Sequence, residues 1–274
     1  LTAVDALGKE RNLIAWLGQA GSVLVGYSGG VDSAYLACVA VETLGPGRVL
    51  AVIGRSASYP DSQWSTARAV AAQFGIPLHI VDTDEINDRR YAANPTNRCY
   101  YCKTELWRRL GPIAKDRGAV VVDGTNADDR LEHRPGAAAG QEHGVASPLA
   151  DAGLTKAEIR ERSRARGIPT WNQPSAPCLA SRIPHGTPVT VGRLRAVERA
   201  EQGLRDIGVT GNLRVRHHGE TARVELDHDQ IERWLTTANR AALEEAVRRA
   251  GYASVIVDPA GYLTGGADAA LSRA

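Results

Sequence analysis

Four short apolar runs mark the first half of the chain, at residues 23–25, 49–53, 78–81 and 120–122. Amphipathic or alanine-rich stretches with helical spacing separate them. Strands that are apolar at nearly every position, with helices between, predict a parallel sheet covered on both faces, since burial on both sides removes any polar alternation. The expected fold class is therefore α/β with a doubly wound parallel sheet. Ligands of such sheets lie beyond the carboxyl ends of the strands, which singles out residues 28–33, 55–60, 82–85 and 124–129.

Beyond residue 150 the pattern changes. Thr155 and Glu158 stand at capping-box spacing before a helix that Gly167 ends. Its many Arg and Glu residues read as a solvated face. Residues 168–188 are irregular and proline-rich, and long ordered loops tend to carry function. Helical spacing over 191–207 then precedes alternating strands at 213–216 and 222–226, a single helix over about 229–250 and a last strand at 254–257. That is the pattern of a small α+β domain. The expected division is a nucleotide domain over 1–167, an active-site segment over 168–188 and a C-terminal domain over 189–274.

Composition narrows the function classes. The 274 residues are 43% hydrophobic and 23% charged, which excludes disorder, collagen and coiled coil. No apolar run approaches the roughly 18 to 20 residues of a membrane span. The first residues lack the charged flank and cleavage site of a secretory signal, so a cytoplasmic location is expected. Lys plus Arg number 33 against 31 Asp plus Glu, and a formal charge of +2 gives no strong pull toward nucleic acid. Four cysteines are too few for a disulfide scaffold, and Cys99 and Cys102 form a C-x-x-C pair that reads as redox or metal chemistry. Cys38, in an apolar helix, reads as a packed small side chain.

The first strand runs into Gly26-Tyr27-Ser28-Gly29-Gly30-Val31-Asp32-Ser33, followed by a helix. Glycines bring backbone N–H groups close to an anion, and the helix N-terminus adds free donors and positive potential. The bland alternative is an ordinary strand-to-helix turn capped by Asp32 or Ser33. After the fourth strand come Asp123, Gly124, Asn126, Asp128 and Asp129. Crowded carboxylates there suit a shared magnesium ion, or else the capped start of a helix.

The string Ser-Gly-Gly-Val-Asp-Ser resembles the signature of the PP-loop ATP pyrophosphatases. The resemblance implies cleavage of ATP between its α and β phosphates. Ser28, Gly29, Gly30 and Ser33 would contact pyrophosphate, Asp32 would work with Mg2+, and adenine would lie near Gly26, Tyr27 and Arg55. Gly124, Asn126 and Asp129 would complete the nucleotide site.

Cys178 lies in Pro177-Cys-Leu-Ala-Ser-Arg182, on the irregular stretch that could fold back over the nucleotide. Three thiolates can hold a 4Fe-4S cluster and leave one iron open; structural zinc would need a fourth ligand, and a redox disulfide is a further reading of the C-x-x-C pair. Together Asn97-Arg-Cys-Tyr-Tyr-Cys-Lys103, residues 124–129, Arg134-Pro-Gly136, Ser147-Pro-Leu149, residues 153–159, residues 177–182 and residues 213–225 resemble the LarE family of ATP-dependent sulfur transferases, in the same order along nearly the whole chain.

That resemblance implies adenylation of a carboxylate of a pyridinium-3,5-biscarboxylic acid mononucleotide and replacement of AMP by sulfur, in the synthesis of the nickel-pincer nucleotide used by lactate racemase and related enzymes. It implies either a 4Fe-4S cluster on Cys99, Cys102 and Cys178 that is recharged by a sulfide donor, or sacrifice of the Cys178 sulfur. It also implies a homo-oligomer. Arg214 and Arg216 alternate along a strand and share a face, where the family likeness makes them ligands for the phosphate or carboxylate of the substrate; Ser181, Arg182 and Glu201 join them as catalytic candidates. A tRNA thiolase is the nearest rival, an amidotransferase-type synthetase is a weaker one, and an ATP-binding sensor without turnover is a rival of another class.

Overall fold

The computed structural model describes residues 5–131, 134–174 and 176–263. The expected divisions also contain residues 1–4, 132, 133, 175 and 264–274, which lie outside the described residues. In chain order the elements are α1 (Ala6–Ala20), β1 (Val23–Gly26), α2 (Val31–Leu44), β2 (Val49–Arg55), α3 (Asp61–Gln73), β3 (Leu78–Asp82), α4 (Arg89–Ala92), α5 (Arg98–Asp116), β4 (Val120–Val122), α6 (Pro135–Glu142), α7 (Pro148–Asp151), α8 (Lys156–Ala165), α9 (Val191–Asp206), β5 (Leu213–His218), β6 (Thr221–Leu226), α10 (His228–Leu235), α11 (Thr237–Arg249) and β7 (Ser254–Val257). They form two compact units. One contains residues 1–91 and 97–176, the other residues 92–96 and 177–274.

The first unit is built on a parallel sheet of order β3-β2-β1-β4. Its central strand shows why the apolar runs are continuous. Val23 and Val25 face a core with α1, α2 and α3, whereas Leu24 points the other way onto Trp107, Leu110 and Ala114 of α5 and Ala139 of α6. Every position is buried, on alternating faces. The edge strand β3 departs from this expectation, because Ile80 is 40% exposed and only the inner strands are covered on both sides. Cys38 is packed in the same core, and burial pushes its thiol up to about 12.

The capping box that starts α8 is complete: the Thr155 hydroxyl accepts from the Glu158 N–H, and the Glu158 carboxylate accepts from the Thr155 N–H. At the other end, Arg162 and Arg166 meet Glu10 of α1, a carboxylate only 3% exposed that also accepts the Tyr35 hydroxyl of α2 at 2.6 Å. Three helices are thus tied to one buried charge.

The second unit has a sheet of order β5-β6-β7, antiparallel then parallel, packed against α9, α10 and α11 through Leu204, Val215, Val224, Trp234, Leu243 and Val247. Residues 92–96 join it because the Asn94 amide donates to the carbonyls of Ile183, Pro184 and Thr187. The single helix expected over 229–250 is two. Thr236 is extended, its hydroxyl and the Asn239 amide both donate to the Arg233 carbonyl, and α11 starts afresh at Thr237. Consecutive threonines favour a cap over a helix interior, and the helical periodicity on either side hides the break.

Candidate functional site

The last residue of β1, Gly26, lies close under the next layer: a Cβ there would lie 2.8 Å from the Trp107 ring. The chain then turns through Tyr27–Gly30 into α2. Gly29 takes φ +72°, and a Cβ on it would lie 2.4 Å from that of Ala67 in α3, so both backbone angle and space require glycine. The first helical bond is from the Ala34 N–H to the Gly30 carbonyl, which leaves the N–H groups of Val31, Asp32 and Ser33 ahead of the helical ladder. Ser33 ties the turn together: its hydroxyl accepts from the Ser28 N–H at 3.2 Å and donates to the Gly30 carbonyl at 3.1 Å.

Across from this loop, the segment after β4 passes so near that a Cβ on Gly124 would sit 3.0 Å from the Ser33 nitrogen. Asn126 works in two directions. Its side-chain oxygen accepts from the N–H groups of Asp128 and Asp129, starting a short 3-10 turn, and its amide reaches Asp32 at 3.4 Å. The cap is thus realised at Asn126, whose amide also turns the segment toward Asp32. Burial raises the Asp129 carboxyl, and the nearby Asp32 charge adds to the rise, while Arg134 and Lys156 oppose it. Lys156 holds Asp32 at 2.5 Å. Asp123 serves the turn itself, accepting from Thr125 and from the Ser147 hydroxyl.

The oxygen donors Asp32 and Asp129 fit a magnesium ion, which commonly takes one or two carboxylates and completes its shell with phosphate and water. Among the described residues no group of three or more His, Cys, Asp or Glu side chains is placed to hold a metal ion. Ser28, Gly29, Gly30, Asp32, Ser33, Gly124, Asn126 and Asp129 are thus brought together. Tyr27 is turned into the core: its hydroxyl donates to the Ala67 carbonyl and its N–H to Val52, while Gly26 is half-buried at the end of β1. Arg55 is turned onto Asp82 at 2.8 Å.

Cys99 and Cys102 occupy the first turn of α5, where positions three apart share a face. The turn is pinned by the Tyr100 hydroxyl, which donates to Glu142 at 2.6 Å, and by Arg90 over the Tyr101 ring. Cys99 is exposed and Cys102 half-buried. This pair can offer two thiolates to iron; Cys178 is carried by the other unit.

In that second unit the candidates Cys178, Ser181, Arg182, Glu201, Arg214 and Arg216 fall in one neighbourhood. Arg182, only 3% exposed, makes two bonds to Glu201, at 2.9 and 3.0 Å, and donates to the carbonyls of Pro177 and Cys178. Glu201 also accepts from the Val215 N–H. Arg216 bonds Glu225 at 2.5 Å and reaches the Ser181 carbonyl. Arg214 stacks on Tyr262; burial lowers its pKa, and the Arg182 charge lowers it further.

Two residues at these places escaped sequence reasoning. Lys156 sits inside the capping box that drew notice to its neighbours, and Glu225, across the ladder from Arg214, keeps one buried oxygen without a hydrogen bond. A carboxylate opposite two arginines on a paired strand was the available signal.

Comparison with known proteins places this geometry in a lineage. Residues 12–100 match the family model described as NAD synthase. The chain is 39% identical to an uncharacterized protein of Synechocystis sp., covering 97% of this chain and 98% of that one. It is 28% identical to the NH(3)-dependent NAD(+) synthetase of Chlorobaculum tepidum, over 54% of each chain. With the pyridinium-3,5-bisthiocarboxylic acid mononucleotide synthase of Lactiplantibacillus plantarum it shares 31% identity, over 97% of this chain and 96% of the synthase. Fold, loop and end-to-end likeness agree: the chain belongs to the same family as that synthase, the LarE family of PP-loop proteins.

Proposed function

We propose that this protein is an ATP-dependent sulfur transferase that converts a carboxylate of pyridinium-3,5-biscarboxylic acid mononucleotide into a thiocarboxylate. The observation that carries the reading is the cradle at the carboxyl end of β1, where Asp32 of the loop 28–33 meets Asn126 and Asp129, in a chain collinear with the plantarum synthase. A substrate carboxylate oxygen attacks the α-phosphorus of ATP, the bond to the β-phosphate breaks, and pyrophosphate leaves with the electron pair. The N–H groups of the loop stabilise that leaving charge, and Asp32 and Asp129 would hold Mg2+ beside it. A sulfur nucleophile then attacks the acyl carbon; the C–S bond forms and AMP leaves, a far better leaving group than the original oxygen.

Arg214 and Arg216 are assigned to the phosphate and carboxylate of the substrate, with Ser181 beside them, while Glu201 fixes the fork of Arg182. A 4Fe-4S cluster on Cys99, Cys102 and Cys178 would supply sulfide from its open iron and be reloaded by a sulfide donor. Without it, Cys178 would surrender its own sulfur and become dehydroalanine. The proposed division of labour is nucleotide chemistry in residues 1–167, the cysteine segment in 168–188 and substrate holding in 189–274, within a homo-oligomer. Among the described residues no helix is long and apolar enough to cross a membrane.

Pyrophosphate release should depend on the pyridinium mononucleotide and be indifferent to tRNA. Release driven by tRNA instead would sink the reading in favour of a tRNA thiolase, and ATP binding without release would favour the sensor. Anaerobic loading with iron and sulfide should give cluster absorbance that Cys99→Ala abolishes. If iron never binds stoichiometrically and spent protein has lost the elements of hydrogen sulfide at Cys178, the sacrificial route stands.

A further inference from the structure

Two side chains outside the loop grip it at one atom. The Tyr59 hydroxyl and the Gln63 amide each donate to the Ser28 carbonyl oxygen at 2.8 Å. None of the peptide bonds described is cis. In a trans peptide the C=O of one residue and the N–H of the next point in opposite directions. Holding the Ser28 oxygen toward Tyr59 and Gln63 therefore turns the Gly29 N–H away from them, to the other side of the loop.

The grip is itself supported. Tyr59 closes a turn with its N–H on the Ser56 carbonyl, the Ser56 hydroxyl meets that of Ser58 at 2.9 Å, and Ser58 donates to Glu85, a carboxylate only 3% exposed. The Tyr59 ring also meets Trp64 edge-on. Gln63 stands in the first turn of α3, the helix whose Ala67 abuts Gly29. The carbonyl oxygen has two lone pairs, and two donors converging on it from separate segments fix the plane of a peptide whose glycine would otherwise rotate with little cost.

We infer that Tyr59 and Gln63 are positioning residues that lock the Ser28–Gly29 peptide with its N–H turned to the pyrophosphate. They act through the Ser28 carbonyl, the atom on which both of their hydrogen bonds converge. This rests on the reading of residues 28–33 as a pyrophosphate cradle, and it adds that the donor geometry is imposed from the turn after β2 and from α3 as well as by the loop's own sequence.

The test is calorimetric binding of magnesium pyrophosphate and, separately, AMP to the full chain carrying Tyr59→Phe, Gln63→Met or both. Each single change should weaken pyrophosphate by about tenfold and the pair by more, since a preorganised anion donor is lost, while AMP affinity stays within about twofold. General loosening of the fold would lower both affinities together and depress the melting temperature of the double variant. Equal losses for the two ligands, or unchanged pyrophosphate binding in the double variant, overturn the inference. A wild-type protein that binds no pyrophosphate overturns the cradle on which it rests.

Discussion

Lys156 Nζ lies 2.5 Å from Asp32 Oδ2, joining the first residue of α8 to the second residue of α2 across 124 positions of sequence. Asp32 suits the positive end of its helix, whereas a lysine at the first position of a helix opposes the dipole. A local rule broken in this way points to a role at a distance: Lys156 places a positive charge beside the loop that carries Asp32. Replacing it with glutamine should reduce substrate-dependent pyrophosphate release by about 10- to 100-fold. The pair is partly exposed, at 35% and 20%, so stability should change by less than about 1 kcal/mol. A stopped assay with a parallel melting curve checks both; full activity in a well-folded variant would make the contact merely structural.

Acid should attack the first unit at Glu10. Burial alone would raise its pKa, but hydrogen bonds from Arg166, Arg162 and Tyr35 outweigh that and hold it at about 2, against an ordinary 4.5. Because the folded value lies below the unfolded one, this stabilisation is complete above about pH 4.5 and is lost as pH falls through about 2; the difference is on the order of 3 kcal/mol. Glu10→Gln should destabilise the protein at pH 7 and flatten the acid limb of its stability profile. Urea titrations at intervals from pH 7 to 2.5 measure this, and parallel profiles for the two proteins would refute it.

Local features of the site were readable before the fold. Ser28 to Ser33 announce themselves because a buried strand, a glycine turn and a helix start are contiguous, and Arg214 and Arg216 because parity along a strand fixes their shared face. Contacts made by tertiary approach were not readable: Lys156 on Asp32, Tyr59 and Gln63 on Ser28, and Glu10 beneath Arg162 and Arg166 all join distant segments through side chains that fit a solvated surface equally well. The break at Thr236 escaped for another reason, since apolar positions recur at helical intervals on either side of both threonines. Gly124 falls between these cases, its turn expected and its tight packing against Ser33 not.

That packing makes Gly124 a sensitive position. A methyl group added there meets the Ser33 nitrogen at 3.0 Å and its Cα at 3.3 Å, both backbone atoms that cannot swing aside. Gly124→Ala should push the 124–129 segment away from α2, lengthening the Asn126 to Asp32 contact and separating the carboxylates of Asp32 and Asp129. Overpacking of this kind costs about 1–3 kcal/mol. Magnesium dependence should shift further than stability does, with the half-saturating concentration rising about tenfold as the shared site opens. Titrating pyrophosphate release with magnesium decides it, and an unchanged midpoint would remove the ion from this pair.

Glu201 ties a buried arginine to a strand in the second unit. Its carboxylate receives both arms of Arg182, a guanidinium almost wholly buried, and also the Val215 N–H at 3.0 Å. Glu201→Ala strands a buried positive charge and a strand donor together, so the cost should be about 3–5 kcal/mol, the range for breaking one side of a buried ion pair. Glu201→Gln keeps an acceptor for Val215 while losing the charge, and should fall between the two. Amide hydrogen exchange separates these contributions: Val215 should exchange faster in the alanine variant and stay protected in the glutamine variant. Equal protection in both would mean that the strand is held by its β6 partner alone and that Glu201 acts only on Arg182.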